Sequence, residues 1–433
     1  MKTRDTKVLL AASAAAVTIA LILIAVFYTM SNGRTESGGI TISEKTETPK
    51  KPETTITTGE ASIITYGTNI YSVPQSETKT EMRAIWVPYM SIMETTPQKL
   101  DTIVANCRRC GANAIIFHVR PFGDAVYRSD FFPWSHILTE TQGKDPGFDP
   151  LEYMVKKAHE NGMELHAWIN PLRIKHENGG PYNLSANNPY TIWRNDGDPS
   201  NDDWVIDYNG GKFYNPAIPE VRSLLCDGMV ELAAKYDIDG IHWDDYFYPA
   251  ADSSFDDSRA YNDYRSSGGT MDLLAWRSEN INTLIRESYS RVKATDSSCS
   301  FGISPAGNIQ NCLNMGADVY KWCSSGGYID YICPQIYWTF ESKVAPFDKR
   351  CEQWRSLVTN QNIKFYVGLA LYKAGSSADN GQWLHSSNII ARQIEFARSE
   401  KINADGYMIF SYDYLDCDQT RGEMENLMAL LAL

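Results

Sequence analysis

The stretch PEVRSLLCDGMVELAAKYDIDGIHWDDY, residues 219–246, predicts a helix followed directly by a buried strand. Pro219 stands at the start of the helical part, where proline is favoured because the first helical N–H has no partner inside the helix. The short apolar run in DGIHWDDY (239–246) is typical of a strand inside a sheet. This unit decides the fold, because the same order of elements recurs along residues 81–433.

Eight strands alternate with helices in this region, which predicts a (β/α)8 TIM barrel. An open, doubly wound sheet is the alternative, but it would usually show a Gly-rich phosphate-binding turn after its first strand, and none is present. The predicted strands cover residues 82–88, 113–120, 163–170, 239–246, 299–305, 328–338, 364–371 and 406–412.

The N-terminal segment predicts a membrane anchor. Residues 8–30 form a run of 23 uncharged positions, long enough to span a hydrocarbon core of about 30 Å. The basic excess before this run keeps the N-terminus in the cytoplasm. A cleaved signal peptide is the alternative, although its apolar region is typically about 7–15 residues long. We therefore predict a single-pass protein of the cell membrane with residues 1–30 as cytoplasmic tip and transmembrane helix, and with its C-terminal domain outside the cytoplasm.

Residues 31–80 predict a disordered linker. They are rich in Thr, Glu, Lys and Pro and contain little that could be buried. The piece ITYGTNIYSVP (64–74) is the exception, and it suggests a short extended segment. The predicted organisation is an anchor (1–30), a linker (31–80) and one barrel (81–433).

The composition excludes several classes of protein. The chain has 40 Lys and Arg against 53 Asp and Glu, a formal charge of −13, which argues against a nucleic-acid-binding protein. Aromatic residues make up 12% of the chain, with 11 Trp and 25 Tyr, so most of it should fold around a core. Flat aromatic rings also suit a sugar ligand, although core packing uses the same residues.

Nine cysteines are spread along the chain, and most are expected to be ordinary buried thiols. Cys107 and Cys110 form a CRRC motif at the end of a predicted helix, whereas a redox CxxC motif opens a helix. No second pair has the spacing of a metal site. One or two disulfides are compatible with this distribution, and the sequence leaves their pairing open.

Polar residues at the ends of four strands predict the position of the functional site. Neighbouring residues in a strand point to opposite faces, and the face opposite the polar one carries only apolar side chains. Barrel enzymes work at the C-terminal ends of their strands, so we expect the polar face to line the barrel mouth. The polar pairs, each on one face, are His118 with Arg120, His166 with Asn170, His242 with Asp244, and Gln335 with Tyr337.

The carboxylates that end the fourth strand are the strongest candidates for chemistry. Asp244 is in step with His242 and should face the pocket, while Asp245 should point outward unless the strand has ended. Two neighbouring carboxyl groups can hold different protonation states, as glycoside hydrolysis requires. Alternatively, Asp245 caps a turn or pairs with an arginine. Long aromatic loops at 171–219 and 245–269 suit a glycan cleft, unless these rings only pack their own loops.

Four segments carry a resemblance to a known family. The chain resembles the glycosyl hydrolase-like 10 family of bacterial cell-envelope proteins from about residue 83 to residue 412. The resemblance implies a (β/α)8 barrel that hydrolyses glycosidic bonds, with peptidoglycan glycan strands stripped of stem peptides as substrate. The segments are RPFGDAVYRSDFFPWSHILTETQGKDPGFDPLEYMVKKAHENGMELHAWINPLR (120–173), DGIHWDDYFYP (239–249), FGISPAGN (301–308) and IDYICPQIYW (329–338).

The resemblance also implies roles for individual residues. In related barrel glycosidases a carboxylate at the end of strand four is the nucleophile or base, and Asp244 matches that place. For the second catalytic carboxylate, Asp124 in RPFGDA is the first candidate, followed by Asp245 and then Glu341. Seven residues are expected to bind sugar groups: Arg120, His166, Asn170, His242, Gln335, Tyr337 and Trp338.

No cofactor and no metal are expected. A metal-dependent hydrolase is a weaker alternative, because the chain has neither a His-x-His pair nor an HExxH motif. A glycan-binding barrel without catalytic activity is the alternative outside the enzyme class. The expected partners are a polysaccharide and, through the N-terminal helix, a membrane, but not nucleic acid.

Overall fold

The computed structural model describes residues 63–66, 69–72, 80–176 and 182–432. The predicted membrane segment and most of the predicted linker lie outside these residues. No helix within the described ranges is long and apolar enough to cross a membrane.

The chain divides into two units at Ser76. In the first, Ile63–Tyr66 pairs with Asn69–Ser72 as an antiparallel hairpin. The hairpin overlaps the short extended segment expected at ITYGTNIYSVP, so this part of the predicted linker contains regular structure.

The second unit is a closed barrel of eight parallel strands. Each strand pairs with its neighbour in sequence order, and β8 pairs with β1 to close the barrel. The predicted (β/α)8 barrel is therefore confirmed. The strands are β1 (Met82–Val87), β2 (Ala114–Arg120), β3 (Glu164–Ile169), β4 (Gly240–Trp243), β5 (Ser300–Ile303), β6 (Tyr331–Ile332), β7 (Lys364–Ala370) and β8 (Gly406–Phe410).

Eight helices follow the strands around the barrel. Proline occupies the first turn of α1, α2 and α3, where its missing N–H costs no helical hydrogen bond. The eight are α1 (Pro97–Arg109), α2 (Pro150–Glu160), α3 (Pro219–Lys235), α4 (Leu273–Thr295), α5 (Val319–Ser324), α6 (Phe347–Leu357), α7 (Ile389–Arg398) and α8 (Arg421–Leu430). Shorter helices lie in the loops at His136–Thr139, Pro189–Asn195, Ser258–Ser266, Ile309–Asn314 and Ala378–Gly381, with single 3-10 turns at Tyr89–Ile92, Asp202–Trp204, Leu371–Lys373, Gln382–Leu384 and Tyr412–Tyr414.

The two faces of the strands separate as the alternation predicts. The outward residues Val119, Ile169, Trp243 and Ile336 belong to the apolar layer between the strands and the helices. A second apolar cluster fills the barrel interior and includes Ile116, Trp168 and Tyr331. Gly302 on β5 makes room for the Tyr331 ring, since a Cβ at that position would lie 2.1 Å from it.

The sixth strand is much shorter than predicted. Only Tyr331–Ile332 pairs regularly, instead of residues 328–338. Pro334 lacks the N–H that a continuous ladder needs. Beyond it, Gln335 makes isolated bridges to Ala306 and Gly368, so the chain stays beside its neighbours without forming a strand.

The long loop after β3 folds into a small antiparallel sheet. Its strands are Arg173–Lys175, Val205–Tyr208 and Gly211–Tyr214, with the last in the centre. Aromatic residues of the long loops pack against one another. The Trp193 and Trp204 rings lie 5.1 Å apart, and Phe255 makes edge contacts with Tyr208 and Phe213. These rings therefore pack within the loop after β3 and between that loop and the loop after β4.

All nine cysteines are free thiols, and eight of them are buried. Cys107 lies in the last turn of α1 and Cys110 caps it, as the CRRC position predicts. Burial raises the pKa of both thiols, because the charged thiolate is disfavoured away from water. They are ordinary buried thiols.

Candidate active site

Asp244 lies at the mouth of the barrel, directly after β4. Its side chain is buried, with only 3% of the residue exposed. The Trp168 Nε1–H donates to Oδ2 (3.0 Å), and the Tyr246 backbone N–H donates to Oδ1 (3.2 Å). Burial and the charge of Asp245 raise the pKa of Asp244 to about 8. The inward direction predicted from strand alternation is confirmed, and the carboxyl group keeps a proton at neutral pH.

Asp245 lies beside it and keeps some exposure to solvent. Gln335 Nε2 donates to Asp245 Oδ1 (3.1 Å) and also to the Ser304 carbonyl oxygen (3.1 Å). Burial raises the pKa of Asp245, while the hydrogen bond from Gln335 opposes that rise. The regular strand ends at Trp243, so Asp245 is not forced to point outward. The structure therefore brings Asp244, Asp245 and Gln335 together.

A second polar group lies on the other side of Trp168. The His118 ring stacks on Trp168, with ring centroids 3.6 Å apart, and His118 Nε2 lies 3.2 Å from Asn170 Oδ1. Burial lowers the pKa of His118 well below its usual range, so the ring is neutral. His118 Nδ1 and Asn170 Nδ2 are buried without hydrogen-bond partners. A ligand group that reached them would gain two hydrogen bonds.

His166 and His242, both predicted to bind sugar, lie deeper inside the barrel. Trp86 Nε1 donates to His242 Nε2 (3.1 Å), so the His242 Nδ1–H donates to the Tyr331 oxygen (3.0 Å). The Tyr331 hydroxyl then donates to His166 Nδ1 (3.1 Å), and His166 Nε2 reaches Glu164 (3.1 Å). Both histidines are inward, as predicted. Their ring nitrogens are paired with other side chains inside the barrel, and their contact with sugar stays a prediction.

Arg120 points away from the barrel mouth. A bulge between His118 and Arg120 shifts the pairing of β2 with β3 and reverses the expected alternation. The guanidinium lies 4.3 Å from the Phe132 ring centre and packs against Gly228 of α3. Arg120 is only 1% exposed. The structure therefore does not bring Arg120 to the barrel mouth with the other predicted residues, and its contact with substrate stays a prediction.

Asp124, the first candidate for the second catalytic carboxylate, organises a loop. It is fully buried, and its Oδ2 accepts from His136 Nδ1 (3.0 Å) and from Gln142 Nε2 (2.9 Å). The His136 ring in turn stacks on Tyr182, with 3.5 Å between centroids. Asp124 has no exposed surface and holds His136 and Gln142 in place, and its catalytic role stays a prediction.

The chain after β6 forms one wall of the mouth. Tyr337 is half-buried. Burial raises the pKa of Tyr337 well above its usual range, and the charges of Asp245 and Asp244 add to that rise. Trp338 is also half-buried and packs over Gly307, where a Cβ would lie 2.7 Å from the indole. Glu341 lies apart from this wall and pairs with Arg392 (3.7 Å). Gln335 and Tyr337 thus border the carboxylate pair, as predicted.

Sequence reasoning missed Trp168, Arg173 and Tyr89. Trp168 shares its strand face with His166, so strand alternation alone could have found it. Arg173 follows the strand in a loop, where periodicity gives no signal, yet its charge lowers the pKa of both Asp244 and Asp245 against the larger effect of burial. Tyr89, in the loop after β1, meets His118 and Phe122 edge-on.

No group of three or more His, Cys, Asp or Glu side chains in the described ranges is arranged to hold a metal ion. The site described above consists of protein carboxyl, amide, imidazole and aromatic groups.

Comparison with known proteins gives a consistent result. The glycosyl hydrolase-like 10 family matches residues 81–385. Glycosyl hydrolase YngK of Bacillus subtilis (strain 168) is 33% identical over 376 residues, which cover 80% of this chain and 71% of that protein. Glycosyl hydrolase DigH of Escherichia coli (strain K12) is 28% identical over 382 residues, covering 81% and 85%.

A solved structure shares the fold. The PgaB (BpsB) glycoside hydrolase domain from Bordetella bronchiseptica aligns with a TM-score of 0.52 and 13% sequence identity over 80% of this chain and 99% of that one.

A parallel eight-stranded barrel with paired carboxyl groups at the end of β4 is an arrangement suited to a glycoside hydrolase. The family match and the named relatives agree, and the protein is an enzyme of that class. The chain belongs to the glycosyl hydrolase-like 10 family, whose match covers more than half of its length.

Proposed function

We propose that this protein is a membrane-anchored, extracytoplasmic hydrolase of peptidoglycan glycan strands, with Asp244 and Asp245 as its catalytic pair. The observation that carries the chemistry is the buried Asp244 carboxyl group, whose pKa is raised to about 8 beside a second carboxyl group. Enzymes tune a general acid toward the operating pH by burial and by a neighbouring charge.

Asp244 is the proton donor in this proposal. In its neutral form it transfers a proton to the glycosidic oxygen as the bond to the anomeric carbon breaks. The family resemblance implied a nucleophile or base at this position, but a group that keeps its proton at neutral pH is better suited to the acid role. Trp168 fixes the orientation of the carboxyl group through its hydrogen bond to Oδ2.

Asp245 is the ionised partner. Gln335 donates to it and favours its charged form. A carboxylate at this place stabilises the positive charge that develops at the anomeric carbon. Water then adds to that carbon, and a proton from the water returns to the Asp244 carboxylate. Asn170, Tyr337 and Trp338 supply amide, hydroxyl and aromatic groups for the sugar rings around the pair.

The substrate and the location are supported by the sequence. The family resemblance implies peptidoglycan strands stripped of stem peptides. Residues 8–30 are long enough to span a membrane, and the basic residues before them orient the barrel outward. An enzyme held at the outer face of the membrane has direct access to a cell-wall polymer.

The test is incubation of the full-length chain with purified peptidoglycan, with and without stem peptides, followed by mass spectrometry of the glycan fragments. Shortened strands from the peptide-free substrate are expected. Asp244→Asn should lower the rate by about 10²- to 10⁴-fold, the usual contribution of a general acid.

The matched control is Asp237→Asn, because Asp237 lies just before β4 with a side chain that is 95% exposed. It should cleave at the wild-type rate. Unchanged glycan length with wild-type protein on both substrates would overturn the proposal, and binding without cleavage would indicate a glycan-binding barrel.

A further inference from the structure

Arg173 is a buried cation whose orientation is fixed on three sides. It follows β3 directly and is only 7% exposed. Its Nε–H donates to the Pro121 carbonyl oxygen (3.0 Å). The guanidinium carbon lies 4.5 Å from the centre of the Tyr246 ring and 5.1 Å from that of Phe122. The planar group is thus held against two aromatic rings at the edge of the catalytic pair.

The charge of Arg173 acts on Asp244 and Asp245 from beyond ion-pair distance. In the part of the chain that the structure describes, no Asp or Glu forms an ion pair with it. Its charge lowers the pKa of Asp244, but burial and Asp245 outweigh that effect and leave Asp244 protonated. A buried charge is costly unless it is paired. The guanidinium therefore lacks a direct carboxylate partner among these residues.

Two other buried arginines differ from Arg173 in pairing or in place. Arg277 forms two hydrogen bonds to Asp257 (2.7 and 2.8 Å), so its charge is paired. Arg120 has no ion pair among the described residues, and its Nη1 and Nη2 lack hydrogen-bond partners, but it is enclosed by Phe132 and α3 away from the barrel mouth. Arg173 instead shares its environment with Tyr246, which is 48% exposed and follows the catalytic pair.

The guanidinium of Arg173 and the ring of Tyr246 indicate which anionic ligand would fit here. A guanidinium presents parallel N–H donors that match a carboxylate in a planar, two-point contact. The exposed Tyr246 ring beside it suits the face of a sugar. A carboxylate-bearing sugar satisfies both features, whereas a neutral sugar leaves the charge unpaired. In a chain with a net charge of −13, such a local cation also offsets repulsion of an anionic ligand.

We propose that Arg173 binds the free lactyl carboxylate of N-acetylmuramic acid and makes the enzyme selective for strands without stem peptides. This inference rests on the proposed function. A stem peptide converts the lactyl carboxylate into an amide, which removes the negative charge and one acceptor oxygen. The same residue would therefore favour the stripped strand and discriminate against the substituted one.

The experiment compares two substrates that differ only at this group. Peptide-free strands are used directly or after their lactyl carboxylates are coupled to methylamine. Wild-type full-length protein should cleave the carboxylate form with a kcat/KM roughly 10- to 100-fold higher, the range for one hydrogen-bonded charge pair. Arg173→Met should lower kcat/KM on the carboxylate form more than on the methylamide form and bring the ratio of the two substrates close to one. Arg173→Lys should restore part of the ratio, since it keeps the charge without the two-point geometry.

The melting temperature of each variant is the control for folding, and Arg259→Met, an exposed arginine in the next loop, should leave both rates unchanged. An equal loss on both substrates in Arg173→Met, or equal cleavage of both by the wild type, would overturn the inference while the proposed hydrolase activity stands. Wild-type protein that cleaves neither substrate would instead overturn the proposed function, and this inference with it.

Discussion

Asp244 shows how the barrel changes the chemistry of an ordinary carboxyl group. An exposed aspartate has a pKa near 3.9, whereas burial beside Asp245 raises the pKa of Asp244 to about 8. Trp168 and the Tyr246 backbone both donate to the carboxyl oxygens and favour the charged form, but burial dominates. The acid role therefore depends on the depth of the site more than on its hydrogen bonds.

Enzyme activity should fall as the pH rises through about 8, because Asp244 must carry its proton to act as the acid. Trp168→Phe removes a hydrogen bond that lowers the pKa of Asp244, so its alkaline limb should move to higher pH. The measurement is kcat against pH for both proteins. An alkaline limb that stays in place in Trp168→Phe would contradict this assignment.

The stability of the protein should also depend on Asp244. Its pKa is higher in the folded chain than in the unfolded chain, so the wild type loses stability as the pH rises from about 4 to about 8. Asp244→Asn removes this dependence. The variant should gain stability relative to the wild type with increasing pH, by at most about 1.4 kcal/mol per pH unit. Urea unfolding at pH 5 and pH 8 measures the difference, and a constant difference would refute the raised pKa.

Asp124→Asn tests whether Asp124 positions His136 and Gln142 or takes part in catalysis. Asp124 holds His136 and Gln142 without touching solvent, so its substitution should cost about 1–3 kcal/mol of stability. Activity should stay within about tenfold of wild type, compared with the loss of about 10²- to 10⁴-fold for Asp244→Asn. Thermal melting and steady-state kinetics measure the two effects. A stable, inactive Asp124→Asn protein would restore it as the second catalytic carboxylate.

At the scale of elements, the irregular segments carry the site. The bulge in β2 turns Arg120 toward α3 while leaving His118 inside. The end of β4 at Trp243 frees Asp245 from strand alternation, and the interruption of β6 at Pro334 lets Gln335 reach Asp245. The regular strands form the barrel, and the points where they are interrupted set the orientation of the side chains in the site.

The loop between β4 and α4 depends on Arg277. Its guanidinium is fully buried and binds Asp257 as well as the carbonyl oxygens of Ala250, Asp252 and Phe255. Arg277→Met leaves Asp257 buried and unpaired, which should destabilise the protein by about 3–5 kcal/mol. Because this loop follows the catalytic pair, activity should fall as well.

The control for Arg277→Met is Arg286→Met on the same helix, where the side chain is 48% exposed and the effect should stay below about 1 kcal/mol. Equilibrium unfolding in denaturant compares the two variants. Equal stabilities would show that the buried pair does not support the loop.

At the scale of the whole molecule, the barrel is complete without the N-terminal region. Pairing of β8 with β1 closes it, and Arg398 of α7 binds Glu81 just before β1 (2.7 Å). Among the described residues, the first strand or helix of the barrel begins at Met82.

A fragment that starts at Glu77 should therefore keep the melting temperature and the glycan-cleaving activity of the full chain. It should lose membrane association, because the anchor proposed in residues 8–30 is absent. Differential scanning calorimetry and flotation with vesicles test the two parts. An unfolded fragment would contradict the expectation that the barrel folds without residues 1–76. A full chain that does not float with the vesicles would contradict the proposed membrane anchor.

The sequence by itself determined the fold class, the count of strands, the inward and outward faces where the strands are regular, and the position of Asp244. These properties follow from local patterns, because the alternation of apolar and polar residues is a property of each strand alone. Only the tertiary structure decided how deep each inward residue lies. His166 and His242 share the face of Asp244 but sit in the closed interior, and Asp124 is sealed under its loop. The depth of a side chain, the bulge in β2 and the surroundings of Arg173 depend on contacts between several strands and loops. The sequence of any one segment does not contain these contacts.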